Sequence, residues 1–172
     1  MNDRVVTIFG TGRAKPGDSV FSLAYELGRE LGRAGFTIAN GGYGGTMLAA
    51  AKGTREAGGE VIGVTCSAFK GRANEYVTRE IVTASLNERL SKLVELGRAY
   101  VVLPGGTGTL LELAMVWELK NKGFLGGEKP IILLGEFWKP LVDVVASDDF
   151  TSSRSVKQAD GAKQAVELII DY

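Results

Sequence analysis

The stretch Ala99-Tyr100-Val101-Val102-Leu103-Pro104-Gly105-Gly106-Thr107-Gly108-Thr109-Leu110-Leu111-Glu112 decides how this chain folds. It opens as an apolar run, turns on glycines, and continues as a helical pattern to about Lys122. Strand, glycine turn and helix in that order build an anion site. The unpaired N–H groups of the first helical turn and the positive end of the helix dipole point at whatever sits over the turn, and phosphate is the natural occupant. Glu112 falls one turn inside the helix. A carboxylate so close to a bound phosphate disfavours binding alone, so the pairing points to chemistry on a phosphorylated ligand.

Outward from this stretch, apolar runs rich in β-branched residues alternate with helical patterns. Strands are expected at 4–9, 36–39, 60–65, 99–103 and 130–134, with a weaker one at 79–83. The first helix has Asp18 as a candidate N-cap, one stripe made of Val20, Ala24, Leu27, Leu31 and Ala34, and Gly35 as its stop. Beyond Pro140 the chain reads as short and polar, a loop over 147–160 and a final helix over 161–170. No repeat, linker or low-complexity segment divides it. The expected class is α/β: a Rossmann-like, doubly wound parallel sheet in a three-layer α/β/α arrangement, with 1–172 forming a single nucleotide-binding domain.

In such a sheet the glycines acquire positions. Gly10-Thr11-Gly12-Arg13, Asn40-Gly41-Gly42-Tyr43-Gly44-Gly45-Thr46 and Pro104 to Thr109 each follow an expected strand. All three therefore lie along one edge, outside the carboxyl ends of the strands, where they frame a nucleotide-sized crevice. The bland alternative is that the glycines serve only positive φ angles or close packing. The dinucleotide fingerprint is not met, since Lys15 stands where the third glycine belongs, and no Gly-Lys-Ser/Thr follows any turn, which argues against ATP hydrolysis.

Composition narrows the chemistry. The chain has 172 residues, 45% of them hydrophobic, which suits one domain with a full core. Twenty basic and twenty acidic residues cancel, so neither nucleic acid nor a membrane surface is suggested as a partner. The lone Cys66 cannot form an internal disulfide, and no leader or long apolar span is visible, so a cytoplasmic location is expected. Histidine is absent. That excludes Ser-His and Cys-His nucleophiles and histidine-ligated metals, and one cysteine leaves no zinc site, so no metal is expected.

A second candidate precedes the phosphate turn. Ser85 and Glu88 have capping-box spacing, and the helix they start carries Leu86, Leu90, Leu93 and Gly97 inward, with Arg89 at the edge of that stripe. Arg89 can lean into a cleft or be an ordinary solvated arginine. The helix after the phosphate turn is apolar nearly all round, from Leu110 to Leu119, so part of it is expected to pack on a second subunit or to be buried within the domain. Among those apolar neighbours, burial would raise the pKa of Glu112 and a nearby Arg89 would lower it, and the sequence leaves the sign open.

At this point the residues resemble a known family. Pro104 to Glu112 is similar to the P-G-G-x-G-T-x-x-E signature of the LONELY GUY (LOG) family, cytokinin riboside 5′-monophosphate phosphoribohydrolases often labelled lysine decarboxylase-like. In that family an arginine lies fifteen residues before the signature proline, as Arg89 does here. Gly41-Gly42-Tyr43-Gly44-Gly45-Thr46-Met47 resembles the family's earlier glycine turn with its following methionine, and 59–64 resembles the next strand. The resemblance spans roughly 5–134.

It implies hydrolysis of the N-glycosidic bond of a nucleoside 5′-monophosphate to free base and ribose 5-phosphate, without metal or organic cofactor, by a homodimer. Gly105, Gly106, Thr107, Gly108 and Thr109 would hold the phosphate, with Gly12, Gly41, Gly42, Gly44, Gly45 and Met47 around the nucleotide. Arg89 and Glu112 would be catalytic. Glu112 would stabilise oxocarbenium charge or activate water, and Arg89 would orient the substrate or assist departure of the base, roles the two could exchange.

Two departures from the family keep a second reading open. Leu90 stands where the phosphoribohydrolases commonly carry lysine, and Tyr43 where a small residue is usual. The alternative is a non-catalytic carrier, resembling the molybdenum-cofactor carrier branch of the superfamily, which binds a phosphorylated pterin in the same kind of cleft. Pyridoxal-phosphate-dependent lysine decarboxylation finds no lysine in a Schiff-base context. Arg13, Lys70 and Arg72 could add charge at the crevice mouth and Tyr43 could stack on a base or pterin. Phe9, Phe36, Phe69 and Trp117 are expected in the core or at the dimer contact, and Cys66 as an idle thiol.

Overall fold

A computed structural model describes residues 4–172. Seven strands, β1 (Val5–Phe9), β2 (Thr37–Asn40), β3 (Val61–Cys66), β4 (Arg79–Thr83), β5 (Ala99–Val102), β6 (Ile131–Leu134) and β7 (Val156–Ala159), form one sheet in the order β4-β3-β2-β1-β5-β6-β7. Every pairing is parallel. The connecting helices are α1 (Ser19–Arg33), α2 (Thr46–Glu56), α3 (Leu86–Leu96), α4 (Thr107–Asn121), α5 (Lys139–Asp148), α6 (Phe150–Ser153) and α7 (Ala162–Ile170).

The chain winds outward from β1 to β4, crosses back through α3 to β5 on the other side of β1, and continues to β7. Helices α1, α2 and α7 cover one face, where Leu27, Leu31, Ala50 and Ile169 share a core with Val6, Ile8 and Val101. Helices α3 and α4 cover the other, through Leu93, Leu113, Val116 and Trp117 against Phe9, Tyr100 and Val102. β1 and β5 are buried at every position, as strands covered on both faces must be. The doubly wound, three-layer α/β/α class expected from the sequence is therefore the observed one.

Asp18 is the N-cap residue of α1, but its carboxylate turns away from the helix and accepts from Lys15 N–H at 2.8 Å. Gly35, at φ +75°, ends the turn after α1.

The segment beyond Pro140 corrects the sequence reading. Pro140 lies in the first turn of α5, where its missing N–H costs nothing. Residues 147–160, expected as loop, contain the end of α5, the short α6 capped by Asp149, and β7. β7 reads as polar because it is an edge strand, with Lys157 and Gln158 exposed. Among the described residues, no helix is long and apolar enough to cross a membrane.

Candidate active site

The order of the sheet reverses between β1 and β5, and the crevice of an open α/β sheet forms at that switch point. The two strands end level, with Phe9 opposite Val102, and the turns that follow are tied by Thr11 N–H donating to Pro104 O at 3.2 Å. Over them opens a cleft of about 680 Å³ lined by Gly10 to Arg13 on one side, Gly106 to Thr109 and Glu112 on the other, and Tyr43, Met47, Phe69 and Arg89 above.

The floor is the N-terminus of α4. Its N-cap is Gly106, and no side chain caps the helix, so the N–H groups of its first turn are left for a ligand. A Cβ at Gly106 or Gly108 would enter open space. Nothing in the packing demands glycine there, and both positions line the cleft. Thr109 is buried at the same turn. Gly105 packs on the Thr109 side chain instead of facing the cleft.

The glycine turn after β2 has a different task. Gly12 and Met47 line the cleft, but Gly41, Gly42, Gly44 and Gly45 do not. Gly45, at φ +65°, lets α2 start against the backbone of Thr11 and Gly12, with Thr46 N–H donating to Thr11 O at 2.9 Å. Gly42, at φ +76°, packs on Gly63 of β3. Gly41 leaves room for the Arg89 guanidinium. Buried Asn40 fixes this turn, accepting from Gly42 N–H at 2.8 Å and donating to Met47 O at 3.0 Å. These glycines shape the cleft from behind.

Arg89 enters from α3. Ser85 caps that helix, accepting from Glu88 N–H at 3.2 Å, and Glu88 reaches back to Ala84 N–H at 2.7 Å. The guanidinium is buried, with Nε donating to Val64 O at 2.8 Å, and lies 5.6 Å from the Tyr43 ring centre and 5.7 Å from that of Phe69. Its Nη1 stands 3.8 Å from Glu112 Oε1. That separation is long for a charge-assisted hydrogen bond, so the attraction is incomplete. Burial, the larger influence, pushes the Glu112 carboxyl up to about 7, with Arg89 opposing it. The sign left open by the sequence is thus upward.

Phe69 and Tyr43 complete the site. Phe69 does not join the core; it lines the cleft and is exposed. Tyr43 also lines it, but its hydroxyl is committed to Cys66, accepting from N–H at 2.9 Å and donating to O at 3.3 Å. Arg13 lies at the mouth, while Lys70 and Arg72 are not in the lining. Phe9, Phe36, Trp117 and the Cys66 thiol are buried. Among the described residues, no group of histidine, cysteine and acidic side chains could hold a metal ion.

A second cavity, of about 560 Å³, lies between α4 and α6, but polar groups on its walls are already bonded, as Asn121 is to Ser152 and Thr151 to Asp149. It shows no free donors aimed inward comparable to the start of α4.

Comparison with known proteins agrees with this geometry. The family model described as "Possible lysine decarboxylase" matches residues 47–171. A cytokinin riboside 5′-monophosphate phosphoribohydrolase of Rhodococcoides fascians is 30% identical over 146 residues, covering 81% of this chain and 73% of that protein. The molybdenum cofactor binding protein of Rippkaea orientalis superposes with a TM-score of 0.82 at 28% identity, over 99% of this chain and 98% of that one. The molybdenum cofactor carrier protein of Chlamydomonas reinhardtii gives 0.75 at 26% identity, over 97% and 96%. The decarboxylase description does not suit the cleft: no lysine is in its lining, so pyridoxal phosphate would find no amine for a Schiff base. On sequence and architecture together, the chain belongs to the family described as possible lysine decarboxylases, the LOG family.

Proposed function

We propose that the protein hydrolyses the N-glycosidic bond of a nucleoside 5′-monophosphate, releasing the base and ribose 5-phosphate. The observation that carries this reading is the placement of Glu112, partly buried and facing Arg89, on the same helix whose uncapped first turn opens to the cleft. A protein that only held a phosphorylated ligand would gain nothing from a carboxylate there, since its negative charge opposes that of the phosphate. A hydrolase gains two things. The ionised carboxylate stabilises positive charge developing on the ribose as the glycosidic bond lengthens, and it orients or deprotonates the attacking water.

In this reading the N–H groups of Thr107, Gly108 and Thr109 hold the phosphate and so fix the sugar over Glu112. Arg89, anchored on Val64 O, keeps the carboxylate in place and presents its remaining N–H groups to the substrate. Among the described residues only one carboxylate lines the cleft, so the two-carboxylate arrangement of common glycosidases does not apply. A second copy of the chain would cover Leu110 and Leu111, which α4 leaves exposed.

The second reading is a non-catalytic binder of a phosphorylated pterin. What favours it is the likeness, over nearly the whole chain, to the two molybdenum cofactor proteins. The two are separated by assaying ribose 5-phosphate release from a panel of nucleoside 5′-monophosphates with the intact chain, Arg89→Ala and Glu112→Gln. Release by the parent that both substitutions abolish supports the hydrolase. A folded parent that releases nothing from any member overturns it.

A further inference from the structure

The connection between β3 and β4 is bolted to the glycine turn at both ends. At its start Cys66 is held by the Tyr43 hydroxyl. At its far end Asn74 donates from Nδ2 to Gly42 O at 3.1 Å and Tyr43 O at 2.8 Å, and from its backbone N–H to Gly42 O at 2.7 Å. Phe69 sits between these anchors. Its ring is tilted against Tyr43 at 6.1 Å and lies beside the Arg89 guanidinium, yet 41% of the residue is exposed, and it lines the cleft. A large apolar ring fixed on an anchored loop and left open to the cleft gains most of its hydrophobic free energy only when a ligand covers it.

Most polar groups near Phe69 are already committed: the Arg89 guanidinium is tied to Val64 O and faces Glu112, which leaves it to the sugar side of the ligand. The Tyr43 hydroxyl has spent both its proton and a lone pair on Cys66. Among the described residues the lining holds no asparagine, glutamine or aspartate, and its threonines lie in the turn after β1 and the first turn of α4. We propose that Phe69 is the specificity-determining contact for the ligand's ring: a flat aromatic heterocycle on the phosphate-bearing sugar packs on Phe69 and is recognised by its face, not by hydrogen bonds to its edge. This rests on the reading in which the phosphate occupies the start of α4. Face recognition makes the site demand a ring while discriminating poorly among rings, because every base presents a π face.

Calorimetric binding on the full chain carrying Glu112→Gln, which keeps ligands intact, tests the proposal with adenosine 5′-monophosphate, guanosine 5′-monophosphate and ribose 5-phosphate. The two nucleotides should bind within about threefold of each other; adding Phe69→Ala should weaken both about tenfold and leave ribose 5-phosphate unchanged, and Phe69→Tyr should keep the parent's affinities. Equal weakening of all three ligands by Phe69→Ala would mean a structural role and overturn the proposal. So would unchanged nucleotide affinity, or no nucleotide binding by the parent. Binding needs no turnover, so failure of the hydrolase reading shows separately, as absence of base release from the chain with Glu112 intact while the Glu112→Gln background still displays the Phe69 contrast.

Discussion

Arg89 and Glu112 meet at 3.8 Å, although they come from the two helices that precede and follow β5 in the chain; the arginine is buried and the carboxylate partly so. The guanidinium is fixed by Val64 O behind it, and the carboxylate by its place one turn into α4. Because the arginine is held from behind, it steers the carboxylate without neutralising it. Burial keeps the Glu112 carboxyl near 7, where a group can exchange a proton at physiological pH.

Lysine cannot replace Arg89. One ammonium on a flexible stem cannot both bond Val64 O and face Glu112, whereas the arginine fork does both. Arg89→Lys should lower kcat/KM for nucleotide hydrolysis by about 100-fold, the scale of losing one preorganised charge contact. Activity within a few-fold of the parent would show that the fork is dispensable.

The pH dependence follows from Glu112. If the ionised carboxylate does the work, kcat/KM should rise with pH on an acid limb centred near 7. A rate that falls through that range would assign Glu112 the role of an acid. Stability moves the opposite way. Between the ordinary value of 4.5 and about 7 the folded chain keeps a proton that the unfolded chain has released, so this stabilising contribution is whole below 4.5 and is lost as pH rises through 7. Glu112→Gln should therefore gain stability relative to the parent between pH 5 and pH 8, by at most about 3 kcal/mol in urea unfolding.

Gly41 separates rate from stability. A Cβ there would fall on the Arg89 guanidinium and within 2.6 Å of Met47 Sδ, side-chain ends that can shift without moving the backbone. Gly41→Ala should therefore fold, with a small change in Tm, while the displaced guanidinium costs turnover on the order of 100-fold. Equal loss of folding and activity would contradict this division.

Asn40 has the converse effect. Removing its side chain leaves the Gly42 N–H and the Met47 carbonyl without the bonds that fix the glycine turn. Asn40→Ala should cost about 2–3 kcal/mol in denaturant unfolding. A change below the error of the measurement would mean that the turn holds its shape without it.

How much of this was legible in the sequence depended on periodicity. The strands through β6 and the strand, glycine turn and helix at α4 were readable because their apolar runs and glycines are local signals. β7 was not, because an edge strand needs apolar residues on fewer positions, and Lys157 and Gln158 therefore read as loop. Arg89 and Glu112 were placed as candidates from helical spacing and the family signature, but the height of the Glu112 pKa required knowing which side chains surround it. The glycines after β2 read as ligand contacts, whereas Gly42 and Gly45 are there for positive φ and close backbone approach. Phe69 read as core or dimer contact because its exposure to the cleft depends on the anchoring of its loop by Tyr43 and Asn74, contacts between residues more than twenty positions apart.

The most direct test of the central claim is a single-turnover experiment, with the protein in excess over each of a panel of nucleoside 5′-monophosphates at pH 8 and free base followed by chromatography. The account predicts base and ribose 5-phosphate in equal amounts from at least one member, in a single phase that Glu112→Gln abolishes. Recovery of every nucleotide intact from a folded protein that binds them would contradict it, and would make the cleft a holding site.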